Sequence, residues 1–165
     1  MKFKVGIGYD IHRLEQGRKL FLGGLEIPFP KGLAGHSDGD ALLHAIIDSL
    51  LGALGEGDIG QLFPANEQRY KGIPSTELLR EVVAKLDKAK IEIIHVDSVI
   101  IAEEPKLAPS ISKMKEILSP ILRMEKESIG IKAKTNEGLG PLGQGEAIAS
   151  WAVTLVREKK RGKKA

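Results

Sequence analysis

The chain has 165 residues, 42% of them hydrophobic and 28% charged, the size and balance of one globular domain. It contains no cysteine, which excludes disulfide scaffolds, thiolate zinc sites, iron–sulfur clusters and cysteine nucleophiles, and leaves metal ligation to His, Asp and Glu. The formal charge of +3 sits at one end: residues 157–165 hold six of the 25 Lys and Arg and one of the 22 Asp and Glu, so the remainder carries 19 against 21, a net of −2.

That distribution predicts a single catalytic domain over 1–157 and a solvated basic tail over 158–165, in preference to a nucleic-acid-binding arm. Aromatic residues make up 4% of the chain, too few for a platform that stacks single-stranded bases, and no apolar run has the length of a membrane span. The N-terminus alternates and so reads as a strand, not a signal peptide, which implies a cytoplasmic location. Folding a chain this long removes on the order of 18,000 Å² from water, so the core needs no metal, and any metal bound serves function.

Residues 2–9 place Phe3, Val5 and Ile7 on one face and Lys2, Lys4, Gly6 and Gly8 on the other, the period of a strand buried on its apolar side. Residues 20–28 form two short apolar runs around Gly23 and Gly24, a hairpin or bend. A helix is expected from Asp38 as N-cap, with the stripe Leu43, Ile46, Ile47, Leu50, Leu51 and Leu54 and its end at Gly55. After a loop over 55–74, Ser75 is the expected N-cap of a second helix with Leu78, Leu79, Val82, Val83 and Leu86 on its inner face.

Residues 91–102 are β-branched on both faces, as in a strand covered on both sides or packed in an oligomer. Pro109 opens a third helix through Ile111, Met114, Leu118, Ile121 and Leu122. A short strand over 129–133, a glycine-rich loop over 136–145 and a closing helix over 146–156 complete the chain. The fold class expected is an α/β sandwich with a mixed sheet covered by helices on one side.

Three of the four histidines, His12, His36 and His44, fall within 33 residues of one another. Asp10 and His12 share a strand face, because residues two apart point the same way. His44 lies four residues from both Asp40 and Asp48 on the predicted helix, where a carboxylate can orient one ring nitrogen and leave the other for a metal. Two His and one Asp with a vacant fourth position is the ligand set of an open catalytic zinc site. The turn Gly35-His36-Ser37-Asp38-Gly39-Asp40 presents N–H groups at a helix start, suited to an anion as well as to capping. His95 and Trp151 read as structural, and the adjacent Glu103 and Glu104 point apart on a strand, so they are not an acid/base pair.

The run Gly6-Ile7-Gly8-Tyr9-Asp10-Ile11-His12-Arg13, the turn from Gly35 to Asp40 with Ala41-Leu42-Leu43-His44-Ala45, and Gly57-Asp58-Ile59-Gly60 with Phe63-Pro64 resemble the 2-C-methyl-D-erythritol 2,4-cyclodiphosphate synthases of the non-mevalonate isoprenoid pathway. Ala102-Glu103-Glu104-Pro105-Lys106-Leu107, Lys132-Ala133 with Thr135 and Glu137, and the stretch from Gly143 to Ala149 extend the resemblance over nearly the whole chain. It implies a cyclising phosphorus–oxygen lyase that converts 4-diphosphocytidyl-2-C-methyl-D-erythritol 2-phosphate to the cyclic diphosphate and CMP. It also implies a homotrimer with active sites between subunits, one chain giving the zinc side and its neighbour the cytidine side.

Position by position, the resemblance assigns zinc to Asp10, His12 and His44, and a second divalent cation, Mg2+ or Mn2+, to Glu137. His36 and Thr135 would stabilise the transition state. The methylerythritol phosphate would meet Ser37, Asp58, Ile59 and Gly60, then Phe63, Pro64, Ala65, Asn66 and Glu67. The cytidine side would comprise Ala102, Glu103, Glu104, Pro105, Lys106 and Leu107 with Ala133, Lys134 and Asn136. Departures from the family pattern fall at Ala65 and Glu67, at Lys134 and Asn136, and at Pro141 and Gln144, where an aromatic and an Arg are common near the trimer axis. Two other readings of the residues are a metal-dependent phosphoesterase, which would release inorganic phosphate, and a nucleic-acid-binding protein acting through its tail.

Overall fold

The computed structural model describes residues 2–159. Its first strand, β1 (Phe3–Gln16), is followed by the short strands β2 (Leu20–Leu22), β3 (Leu25–Ile27) and β4 (Lys31–Leu33). Next come the helices α1 (Ala41–Leu54), α2 (Ile59–Leu62) and α3 (Ser75–Lys88). Strand β5 (Ile91–Ile101), α4 (Ile111–Leu122), β6 (Ile129–Lys134), the one-turn α5 (Gly140–Gly143) and β7 (Ala147–Glu158) complete the order. The main sheet runs β4-β1-β7-β5-β6; β5 and β6 are parallel and the other pairs antiparallel, so the sheet is mixed as expected. Helices α1, α3 and α4 form the layer on one side, and their apolar stripes merge with the sheet's inner face into one core.

Two expectations fail for a shared reason. Residues 146–156 form a strand, not a helix: Ile148, Ser150, Ala152, Thr154 and Val156 alternate inward and are essentially fully buried, while Trp151 and Val153 point outward. The large apolar side of β1 is also the outer one, with Phe3 at 52%, Val5 at 64% and Ile7 at 68% exposure. It is the glycine side that meets α1. A Cβ on Gly6 would lie 1.9 Å from Ser49 O, and one on Gly8 1.9 Å from Ala45 O, so helix backbone rests almost directly on strand backbone. Opposite these glycines β7 places Thr154 and Ala152, and Thr154 Oγ1 donates to Ser49 O at 3.1 Å. Close approach demands small residues inside, so the large side chains of β1 lie on the face the helices do not cover.

Residues 91–102, whose pattern suits a strand covered on both sides or packed in an oligomer, form β5, which within one chain buries Val96, Ser98 and Ile100 and leaves Val99 and Ile101 half-buried. The hairpin at Gly23 and Gly24 forms with positive φ at both, as a two-residue turn between paired Leu22 and Leu25 requires. The N-cap of α1 is Asp40, not Asp38. Its fully buried carboxylate accepts from Leu43 N at 3.0 Å and also from Gly23 N and Gly24 N at 3.0 and 2.7 Å, so the cap ties the hairpin to the helix. Helix α3 begins with Ser75 inside it and Pro74 at the cap position. Of the expected tail, Glu158 is the last residue of β7, donating to Lys2 O at 3.0 Å; residues 160–165 lie outside the described residues. Among the described residues no helix is long and apolar enough to cross a membrane.

Candidate active site

Asp10 and His12 sit within β1, which continues to Gln16 instead of ending beside them. They occupy the same inward face as Gly6 and Gly8, the next two positions along. Gly8 faces Ala45 and Ser49; the line of small residues passes beneath α1 and, beyond its N-terminal turn, gives way to functional side chains. His44, buried in that first turn, completes the group. His12 Nε2 lies 2.7 Å and His44 Nδ1 2.8 Å from Asp10 Oδ2, and the two nitrogens are 3.1 Å apart.

An ion holding ligands at about 2.0–2.1 Å in a tetrahedron spaces them by about 3.3 Å, so small outward adjustments of three side chains would seat one, and the donor set of two imidazoles and a carboxylate suits it. This is the one such group of three or more close His, Asp and Glu ligand atoms among the described residues. It forms part of the wall of a cavity of about 200 Å³, shared with His36, Ser37, Ile59, Gly60 and Phe63.

Burial works to raise the Asp10 pKa, but hydrogen bonds from His12 and His44 outweigh it and hold the carboxyl well below the usual carboxylate range. Burial likewise works to lower His12, and the Asp10 carboxylate overrides it, raising the imidazole above its ordinary 6.5. A depressed carboxylate contributes stability above its unfolded value of 3.8 and loses it as pH falls through the folded value; a raised histidine contributes fully below 6.5 and loses it as pH climbs through its folded value. Protein stripped of metal is therefore expected to gain most from this pair between about pH 4 and 6.5, with melting temperatures falling on both sides in a series of thermal scans. Affinity for a metal ion at this cluster, which requires neutral His12, should instead rise with pH through that raised value; a titration showing tighter metal binding at pH 5 than at about pH 8 would contradict the ligand set.

The carboxylates flanking His44 do not orient it. Asp40 is engaged with three backbone N–H groups, and Asp48 accepts from Ile59 N at 2.7 Å, fixing the start of α2. The outer nitrogen of His44 meets serines instead: Nε2 lies 2.9 Å from Ser75 Oγ and 3.1 Å from Ser37 Oγ. Ser75 comes from 31 positions away, and no local pattern marks it. The turn at Gly35 to Asp40 spends several of its N–H groups internally, Gly39 N on Ser37 Oγ and Asp40 N on Asp38 Oδ1.

The remaining expected residues divide into two regions. Ala65 joins the first cavity, while Asp58 caps α2, accepting from Gln61 N at 2.9 Å; Pro64 and Asn66 lie on the same loop, and Glu67 pairs with Arg69 at 2.6 Å. A second hollow of about 170 Å³ lies at the ends of β5 and β6, lined by Ala102, Glu103, Pro105, Lys106, Leu107, Ala133, Lys134 and Thr135. Glu104 does not line it; Glu103 Oε1 accepts from Asn136 N at 2.7 Å, and Thr135 Oγ1 donates to Glu137 Oε1 at 2.8 Å. Strand β7 separates the β1 side from the β5–β6 side, so within one chain the two sets of residues line separate cavities.

A mixed sheet that delivers an Asp–His–His cluster to the wall of a cavity is the arrangement of an enzyme with a candidate metal site. The YgbB family model matches residues 3–157. The chain is 51% identical over 156 residues to the 2-C-methyl-D-erythritol 2,4-cyclodiphosphate synthase of Caldicellulosiruptor bescii, covering 94% of this chain and 99% of that one. Among solved structures, a CDP-bound 2C-methyl-D-erythritol-2,4-cyclodiphosphate synthase superposes with a TM-score of 0.87 at 40% identity, over 93% of this chain and all of its own. The bifunctional IspDF of Campylobacter jejuni gives a TM-score of 0.92 at 34% identity, over 96% of this chain and 43% of that longer one. The chain belongs to the YgbB family, the 2-C-methyl-D-erythritol 2,4-cyclodiphosphate synthases.

Proposed function

We propose that this chain, a lyase of isoprenoid biosynthesis by its family, converts 4-diphosphocytidyl-2-C-methyl-D-erythritol 2-phosphate to 2-C-methyl-D-erythritol 2,4-cyclodiphosphate and CMP in the cytoplasm, with one zinc at Asp10, His12 and His44 and a second divalent cation, Mg2+ or Mn2+, at Glu137. The convergence of the three ligand atoms at a cavity wall carries the reading.

In this reaction the 2-phosphate oxygen bonds to the β phosphorus, and the bond from that phosphorus to the oxygen bridging to the α phosphate breaks, so CMP leaves with the electron pair. A phosphate monoester has its second pKa near 6 and is largely ionised at neutral pH, so the attacking oxygen needs no general base. What remains for the protein is to align the two groups in line and to offset their repulsion. A cation bound at the cluster supplies Lewis-acid polarisation of a phosphoryl oxygen. His36 donates a hydrogen bond to the charge that grows on those oxygens, Thr135 does so once its hydroxyl turns away from Glu137, and Lys106 lies near the phosphates. Ser37, Ile59, Gly60 and Phe63 enclose the methylerythritol end, and the hollow at Ala102 to Leu107 takes the cytosine.

The two hollows are halves of one site if chains assemble with the β1 side of one against the β5–β6 side of the next. The bare sheet face supports a homotrimer: Phe3, Val5, Ile7, Tyr9 and Ile11 on β1 and Trp151 and Val153 on β7 are all at least 37% exposed, and the Tyr9 and Trp151 rings lie 4.5 Å apart. Mixing inactive His12→Ala chains with inactive Lys106→Ala chains should then restore up to about a quarter of parental activity, since random assembly gives that share of sites two intact halves. A fully active monomer in solution would end the shared-site reading. The reaction itself is tested by incubating the trimer with the diphosphocytidyl substrate and following CMP and the cyclic diphosphate; inorganic phosphate in their place would favour a phosphoesterase.

A further inference from the structure

If His44 is a zinc ligand, the reading on which this inference rests, then the opposite side of its ring also has a defined task. Its Nδ1 faces Asp10 Oδ2 and His12 Nε2, so a neutral imidazole that gives its lone pair there carries its proton on Nε2. That proton points to the hydroxyl of Ser75, fully buried and 2.9 Å away. The Ser75 hydroxyl in turn donates to Asp38 Oδ1, and the Ser75 backbone N–H donates to Asp38 Oδ2 at 3.0 Å. A carboxylate can only accept, so both of its oxygens fix the serine, and the hydrogen bonds run in one direction, from ring to hydroxyl to carboxylate. Ser37 Oγ, 3.1 Å from the same Nε2, is held by the N–H of Gly39.

We propose that Asp38 and Ser75 are positioning residues for the metal. Acting through the serine hydroxyl, the Asp38 carboxylate holds His44 in its Nε2–H form, with Nδ1 aimed at the ion and made more basic by the negative charge at the end of the chain of bonds. Asp38 accepting the Ser75 N–H is ordinary capping of the start of α3, but capping alone does not require the Ser75 hydroxyl to stand between the His44 ring and the other carboxylate oxygen. The link also fastens the first residue of α3 to the metal ligand on α1, two helices whose contact is otherwise apolar.

The test compares the parent protein with Ser75→Ala, Asp38→Asn and Ser75→Thr. Zinc affinity is measured by competition with a chelator, and the His44 Nε2–H proton is followed by NMR in the zinc-loaded protein. Ser75→Ala and Asp38→Asn should weaken zinc binding by about 10- to 100-fold. The Nε2–H signal should exchange slowly in the parent, be lost to exchange in Ser75→Ala, and return with the zinc affinity in Ser75→Thr, which keeps the hydroxyl. If an alanine or threonine variant fails to fold, Asp38→Asn and the parent's own Nε2–H signal decide the matter. Unchanged zinc affinity in folded Asp38→Asn, or a freely exchanging Nε2–H in the zinc-loaded parent, overturns the relay. A parent that takes up no zinc at all overturns the metal assignment and the relay together, an outcome distinct from weakened variants of a zinc-binding parent.

Discussion

His44→Ala is expected to lose its zinc and at least about a thousand-fold in kcat/KM, because removing one of three protein ligands forfeits the several kcal/mol by which a bound cation stabilises phosphoryl charge. The fold should survive. Ser75 keeps its bonds to Asp38, Ser37 keeps Gly39 N, and Asp10 keeps His12, so few polar groups are orphaned by the truncation. Elemental analysis of the purified variant, alongside CMP release, separates loss of metal from loss of structure. A folded His44→Ala protein with full zinc content and full turnover would remove this residue from the site.

Gly8→Val should have the largest effect on the fold itself. The first carbon added would stand 1.9 Å from Ala45 O and 2.7 Å from Ser49 N, both backbone atoms of α1, so no side-chain rotation relieves the clash. The helix must lift from the sheet along its length. The cost should exceed the roughly 1–3 kcal/mol typical of overpacking, enough to leave the variant aggregated or unfolded at growth temperature. Moving α1 would also displace His44 from Asp10 and His12, so any folded fraction should show weakened zinc binding. Thermal denaturation within a few degrees of the parent would mean that the helix rests less tightly on the strand than these distances imply.

Much of the architecture could be read from the chain because its helices are amphipathic. The stripes of α1, α3 and α4, the glycines of the hairpin and the end of α1 at Gly55 all fall where hydrophobic spacing and turn chemistry place them. The two central strands were harder. In β1 the interior is glycine and the exterior Phe, Val and Ile, and in β7 both faces are largely apolar, with Ile148, Ala152 and Val156 beside Ser150 and Thr154 within and Trp151 and Val153 without. Such patterns hide which side is inside, and the Ala-rich β7 resembles a helix in composition. The spacing of Asp10 and His12 and the place of His44 on its helix pointed to the three residues that the structure brings together, and the resemblance assigned zinc to them. The serines behind His44 could not be found this way. The contact of Ser75 with the ring joins helices that are distant in sequence, and in the sequence Ser75 and Asp38 read as the N-caps of α3 and α1, places that Pro74 and Asp40 hold instead.

The position of β7 bears on how the molecule comes into being. The last strand of the chain lies between β1 and β5, and its register pairs Phe3 with Arg157 and Ile91 with Glu158. Until β7 is in place, β1 has its long edge open, and so does the β5–β6 pair. Each edge is a row of unpaired N–H and C=O groups beside an apolar face. The sheet therefore closes through contacts that span nearly all of the described residues, which favours slow folding. A chain lacking β7 would leave two separate sheet fragments, each exposing a sticky margin, a natural substrate for chaperones and proteases.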